Sequence, residues 1–136
     1  MRISGGSAKG IPLQVPKGKS VRPASEAARE RLFSSIGSLV PGATFIDLFA
    51  GTGAYGLEAV SRGARDGAFV EQDTRTVEVL RRNLISVCRS AKLSPDNFEV
   101  ITGNALQSRP QERPIDLVFV DPPYPVLTEI AEKLFS

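Results

Sequence analysis

The sequence predicts an α/β fold: a parallel sheet with helices on both faces, preceded by an N-terminal hairpin and helix. Three observations carry this expectation. From residue 44 onward, short apolar strand-like runs alternate with amphipathic helical stretches. A Gly-x-Gly-x-x-Gly loop, Gly51 to Gly56, joins the first such run to the first of those helices. The residues with chemical potential all fall where predicted strands end, at 47–53, 71–73, 103–105 and 121–124.

Taken in order, residues 1–21 are rich in Gly, Lys and Pro, with apolar patches at Ile3 and Ile11–Val15, and read as a small hairpin followed by a loop. Arg22-Pro23 leads into a helix over 25–38, with Ser25 as N-cap and Ala28, Leu32 and Ile36 repeating every fourth residue. Thr44–Ala50 is a strand of buried type, apolar apart from Thr44 and Asp47. A helix over 54–62 follows, closed by Gly63. Ala68–Glu71 is the second strand, and Thr74–Ser90 is a helix with Val77, Leu80, Leu84 and Val87 on one face. Phe98–Thr102 and Ile115–Val120 are the third and fourth strands, and Thr128–Phe135 begins another helix. Repeated βα units imply parallel pairing with right-handed crossovers. Such sheets bind ligands beyond the strand carboxyl ends, at the switch in strand order.

The chain of 136 residues suits one domain and not two. No apolar run is long enough to span a membrane, and the start turns polar at once, so a soluble cytoplasmic protein is expected. Cys88 is the only cysteine and histidine is absent, which leaves no internal disulfide, no Cys/His metal site and no histidine acid–base catalysis. The net charge of +2 conceals an asymmetry. Residues 1–31 carry seven basic groups against two acidic ones; the rest carries ten against thirteen. A basic arm on a mildly acidic body suits a polyanion-binding extension, and equally a solvated tail.

The glycine loop between strand and helix points to a nucleoside ligand, and Glu71, twenty residues after Gly51, is placed to accept from ribose hydroxyls. Charge bears on which nucleoside. A dinucleotide lays its pyrophosphate on the helix N-terminus, and Asp47 in the same crevice would repel it. Asp47 suits a cationic ligand such as S-adenosylmethionine, with its ammonium and sulfonium groups; a nicotinamide cofactor stays open as the rival. The blander role for Asp47 is capping nearby backbone amides.

Asp121-Pro122-Pro123-Tyr124 closes the fourth strand. Paired prolines fix φ and donate nothing, so nearby carbonyls stay free to accept. Asp121 and the Pro122 carbonyl together suit an exocyclic NH2, whose lone pair they draw out of ring conjugation. Tyr124 offers a flat face on which a base stacks, worth about 1–3 kcal/mol. A base in a duplex must be flipped to reach such a site. The plainer alternative is a turn that ends a strand.

Asp47 to Gly53, Glu71 and Asp121 to Tyr124 together resemble the amino-methyltransferases with a Rossmann-like fold. With Arg2-Ile3-Ser4-Gly5-Gly6, Lys9-Gly10, Val15-Pro16, Arg22-Pro23 and Arg29 to Phe33, nearly the whole chain is similar to the bacterial small-subunit ribosomal RNA guanine-N2 methyltransferases, the RsmD-like family. The resemblance implies a basic RNA-contacting extension over 1–40 and a cofactor-binding catalytic core over 41–136. It implies that Asp47, Gly51, Thr52 and Gly53 hold the methionine part of S-adenosylmethionine, Glu71 with Gln72 the ribose, and Asn104-Ala105 the adenine. Asp121, Pro122, Pro123 and Tyr124 would position the target amine, and Lys17, Lys19, Arg22 and Tyr124 would contact RNA. The implied partner is ribosomal RNA or the small subunit, with no metal, no membrane and a monomeric state.

Two departures from the family pattern stand out. Position 104 is Asn where the wider superfamily often has Asp, and Asn both donates to and accepts from an adenine edge. The family fold has seven strands and continues past the Asp-Pro-Pro-Tyr element, so a chain ending at Ser136 is expected to be a partial sequence with an exposed sheet edge. A DNA adenine-N6 methyltransferase, which shares Asp-Pro-Pro-Tyr, and an inactive RNA-binding remnant are the competing functions.

Overall fold

The computed structural model describes residues 1–16, 26–107 and 114–121. Along them run α1 (Glu26–Ile36), β1 (Thr44–Asp47), α2 (Ala54–Ser61), β2 (Asp66–Glu71), α3 (Thr74–Ala91), β3 (Phe98–Thr102) and β4 (Leu117–Phe119). The strands pair in parallel, as the alternation of elements predicts, and their order is β3-β2-β1-β4. Ser25 and the helix expected over 128–135 lie outside the described residues.

Two strands are shorter than their apolar runs. β1 ends at Asp47 because the chain turns at Leu48–Ala50 toward the glycine loop. Pairing still continues a step further, with Leu48 N–H donating to the Phe119 carbonyl at 3.0 Å and Ala50 N–H to that of Val70 at 3.0 Å. β4 is held at its start by the Asp116 N–H on the Thr44 carbonyl, 2.8 Å, and by the Asp116 carboxylate accepting from Thr44 N–H, 2.8 Å. α2 closes at Gly63 as expected: Ala64 N–H reaches the Ala59 carbonyl at 3.0 Å and Gly63 N–H that of Val60 at 3.2 Å, a Schellman ending.

The core is one cluster. Phe45 on β1 lies against Phe69, Phe98 and Phe119, while Phe33 of α1 meets Phe119 at a ring separation of 5.6 Å. Val77, Leu80, Leu84 and Val87 of α3 are buried, the face their spacing predicts. Crossovers that step one way, β1 to β2 to β3, place α2 and α3 together, and they contact each other.

The N-terminal segment is a hairpin, bridged antiparallel at Arg2 and Pro12, with Ile3 N–H on the Ile11 carbonyl at 3.0 Å and Leu13 N–H on that of Met1 at 2.8 Å. Ile3, Ala8 and Leu13 enter the same core cluster as α1 and the sheet. Two sequence expectations need correction here. Arg29, counted among the basic groups of the arm, is fully buried and paired with Glu58 of α2, so it offers no charge to a polyanion. The inward side of α1 is Arg29 and Phe33, whereas Leu32 of the expected Ala28/Leu32/Ile36 stripe is 38% exposed.

Candidate active site

The glycine loop carries the chain from β1 into α2. Gly51 and Gly53 have φ of 57° and 97°, the left-handed region that side chains resist. Gly56 is needed for space: a Cβ there would sit 2.3 Å from Phe69 Cε1, so α2 could not rest on the sheet. Around Gly51, by contrast, a Cβ would meet nothing within 4 Å, so the loop's outer side is open.

Two carboxylates fasten this loop. Asp47, buried at the end of β1, accepts the Gly56 N–H through Oδ2 at 3.0 Å. The N-cap residue of α2 is Gly53, which has no side chain to cap with, so Asp47 supplies the side-chain acceptor at that helix N-terminus. Glu71, at the end of β2, accepts from Gly51 N–H through Oε1 at 3.0 Å and from Asp73 N–H through Oε2 at 2.9 Å. The capping role weighed for Asp47 is therefore real, and it does not empty the site of meaning. Gly51 and Gly56 N–H donate to these carboxylates, and Gly53 N–H to the Ala50 carbonyl at 2.8 Å. These are the amides a pyrophosphate would need. The crevice is an acidic one.

Burial raises the Asp47 carboxyl from 3.8 to about 7, the Gly56 amide opposes the rise, and the charges of Asp121 and Glu71 add to it. The three acids stand at or just beyond the carboxyl ends of the adjacent strands β1, β2 and β4. β1 is also where strand order reverses, with β2 and β3 to one side and β4 to the other. Asp121, exposed, follows two residues after Phe119, the register partner of Asp47. Thr52 is buried within the loop and Gln72 is exposed beyond β2. Asn104 and Ala105 are half-buried in the turn after β3, where Asn104 Oδ1 accepts Leu106 N–H at 2.8 Å. The structure thus brings Asp47, Gly51, Thr52, Gly53, Glu71, Gln72, Asn104, Ala105 and Asp121 to the carboxyl ends of adjacent strands. Pro122, Pro123, Tyr124, Lys17, Lys19 and Arg22 lie outside the described residues.

Beside Asp121 opens a groove of about 340 Å³, lined by Leu32, Ile36, Tyr55 and residues 117–121. The Tyr55 ring stacks on Phe119 with 6.1 Å between centroids. Sequence reasoning missed Tyr55, which stacks on Phe119 beside the groove, Asn83, which donates to the Thr52 carbonyl of the loop, and Glu58, which holds the hairpin on α2. Glu58 and Asn83 carry a usable signal, each being a polar residue inside an otherwise apolar helical stripe, the same kind of signal that exposes Asp47. Tyr55 carries none beyond its place in the loop motif.

The family described as "Conserved hypothetical protein 95" matches residues 1–135. The chain belongs to this family. Among curated members of similar sequence, the ribosomal RNA small subunit methyltransferase D of Escherichia coli is 38% identical over 125 residues, 91% of this chain and 60% of that protein. The protein of the same name from Haemophilus influenzae is 34% identical over 127 residues, 91% of this chain and 64% of its own length. The chain therefore spans roughly three fifths of these RsmD-family relatives. Solved structures agree in fold. A candidate methyltransferase of Escherichia coli, yhhF, superposes with a TM-score of 0.75 at 36% identity, covering 91% of this chain and 65% of its own. A candidate methylase of Haemophilus influenzae gives 0.71 at 33% identity, covering 98% and 71%.

Proposed function

We propose that this RsmD-family chain carries the cofactor site and part of the catalytic site of an S-adenosylmethionine-dependent methyltransferase acting on the exocyclic N2 of a guanine in small-subunit ribosomal RNA. The observation that carries this reading is the acidic crevice at the switch point, where Asp47 and Glu71 occupy the glycine-loop amides and Asp121 follows the neighbouring strand β4. A phosphate-bearing dinucleotide fits poorly against two carboxylates, while a ligand bearing ammonium and sulfonium charge fits well. The open space at Gly51 leaves room for it. The relatives named as ribosomal RNA methyltransferases support the choice of RNA.

When bound, S-adenosylmethionine supplies an electrophilic methyl group. Asp47 would face its cationic portion, Glu71 and Gln72 its ribose, and Asn104-Ala105 its adenine. Asp121 would accept a hydrogen bond from the amine and stabilise the positive charge that grows on nitrogen, and holding the nucleophile in line supplies much of the rate. The amine sheds its surplus proton easily once alkylated, so no histidine base is required. Pro122, Pro123 and Tyr124 complete the amine site in this reading, and Lys17, Lys19 and Arg22 engage the RNA backbone.

The test begins with calorimetric titration of the chain with S-adenosylmethionine, with NADH as control. Saturable binding of the sulfonium ligand alone, weakened in Asp47→Ala and Glu71→Ala, is expected. In the family-length protein, Asp121→Ala should abolish methyl incorporation into ribosomal RNA while leaving cofactor affinity nearly intact. Preferred methylation of duplex DNA would move the substrate to adenine N6, and turnover retained in Asp121→Ala would remove Asp121 from catalysis.

A further inference from the structure

Asn83 of α3 is 1% exposed, on a helix face otherwise given to Val87, Leu80 and their neighbours. A buried amide in such a stripe is costly unless its hydrogen-bonding groups are matched. Here they are, and the partners come from two distant parts of the chain. Asn83 Oδ1 accepts the Gln14 N–H at 2.9 Å, and Nδ2 donates to the Gln14 carbonyl at 3.1 Å. The second Nδ2 hydrogen goes to the Thr52 carbonyl at 3.0 Å. Thr52 stands between Gly51 and Gly53, the two left-handed residues of the loop.

We propose that Asn83 is a positioning residue that ties the N-terminal hairpin to the glycine loop, so that docking of the hairpin holds the loop in its ligand-binding shape. The geometry argues for coupling over simple packing. With left-handed glycines on both sides, the Thr52 peptide has unusual rotational freedom, and Asn83 donates to its carbonyl. The orientation of the Asn83 amide is set in turn by a two-bond clasp on the Gln14 backbone, because rotating the amide to suit another loop geometry breaks both bonds. The residue that fixes the loop is thus itself fixed by the hairpin, three residues before Lys17 at the start of the basic segment. In its consequence for affinity the inference rests on the cofactor reading above; in its consequence for the loop it does not.

The test loosens the link from each end. Asn83→Asp keeps the acceptor for Gln14 N–H but loses both amide hydrogens, to the Gln14 and Thr52 carbonyls; Gln14→Pro removes only the hairpin's N–H and leaves the Thr52 bond in place. Both variants, checked for folding by circular dichroism, are compared with wild type by amide hydrogen exchange of the ligand-free chain. Exchange at Gly51, Gly53 and Gly56 is expected to rise roughly tenfold in both, relative to amides of the β1–β2 ladder, which report global opening. A rise in Asn83→Asp alone would show that Asn83 serves only the loop and would overturn the coupling, as would no rise in either. If Gln14→Pro does not fold, Leu13→Ala, which loosens the hairpin beside Gln14, takes its place with the same expected outcome. Titration with S-adenosylhomocysteine adds the second readout: affinity should fall several-fold in both variants. Failure of the wild type itself to bind would sink the cofactor reading, while the exchange result would still decide the coupling.

Discussion

Arg29 Nε lies 2.9 Å from Glu58 Oε1, and both side chains are fully removed from solvent. The pair is the centre of a clasp that holds the N-terminal hairpin on α2. Glu58 also accepts the N–H groups of Ser4 at 2.9 Å and Gly5 at 3.0 Å, and Arg62 Nε at 2.8 Å. Arg29 donates in addition to the Arg2 carbonyl. Four donors on one carboxylate are what make its burial tolerable.

Removing one partner of this arrangement should be severe. Arg29→Met leaves Glu58 charged in the interior without its fully buried counter-charge, and should cost about 3 kcal/mol. Glu58→Gln leaves Arg29 uncompensated and should cost a similar amount. Urea denaturation of each variant checks this; a loss below about 1 kcal/mol would mean that solvent reaches the pair.

The glycine loop permits a sharper contrast. Gly56→Ala drives a methyl to 2.3 Å from Phe69 and 2.9 Å from Phe45, two rings packed in the core. It should cost about 2 kcal/mol or more through overpacking. Gly51→Ala meets no neighbour and carries only the left-handed backbone penalty, about 1 kcal/mol. Yet its methyl projects into the open side of the crevice, so ligand affinity should fall further than stability. Thermal denaturation together with titration separates the two variants. Equal losses of stability, with affinity unchanged in Gly51→Ala, would show that no ligand approaches there.

How far the sequence could be read follows from whether each signal was local. α3 was legible because Val77, Leu80, Leu84 and Val87 recur at helical spacing and all are buried. Asp47 was legible as the lone acid in an apolar strand. The inward side of α1 was not, because Arg29 is tolerated inside only by Glu58, twenty-nine residues away, and no local pattern contains that counter-charge. The clasp of Asn83 on Gln14, sixty-nine residues apart, is hidden for the same reason. The ends of β1 and β4 are not legible, because apolar character runs on past the point where each leaves the sheet.

Cys88 offers an internal probe of opening. It is fully buried in the core, and burial raises its thiol to about 11, so little thiolate exists near neutral pH and none of it is reachable. A disulfide reagent should modify the native chain only as fast as it opens, orders of magnitude more slowly than the urea-unfolded chain. Stabilising ligand should slow the reaction further. Native labelling at the unfolded rate would contradict the packing of α3.

Asp47 gives the chain a pH signature. In the folded state burial holds its carboxyl near 7, against 3.8 for the exposed group. The folded chain therefore keeps a proton that the unfolded chain releases, and ionising Asp47 costs stability. That contribution is present in full below the unfolded value and is lost as pH rises through about 7. Glu58 acts in the opposite sense. Burial works against its ionisation, but the Ser4 amide, Arg62 and Arg29 together hold its carboxyl below the usual 4.5. Its contribution is present above that value and is lost as pH falls further. The ligand-free chain should thus be most stable in mildly acid solution. Asp47→Asn, whose amide oxygen can still accept from Gly56, should gain on the wild type from about pH 4 upward and level off above about pH 7, by an amount on the order of 4 kcal/mol. Denaturation midpoints at about pH 5 and pH 8 measure that gain. A cationic ligand would reverse the cost by favouring ionised Asp47, so at about pH 6 its binding should release close to one proton and tighten as pH rises. Calorimetry in two buffers of different ionisation enthalpy measures the proton directly. Release in the wild type and none in Asp47→Asn is the expected pair; equal release in both would mean that the ligand's charge does not meet Asp47.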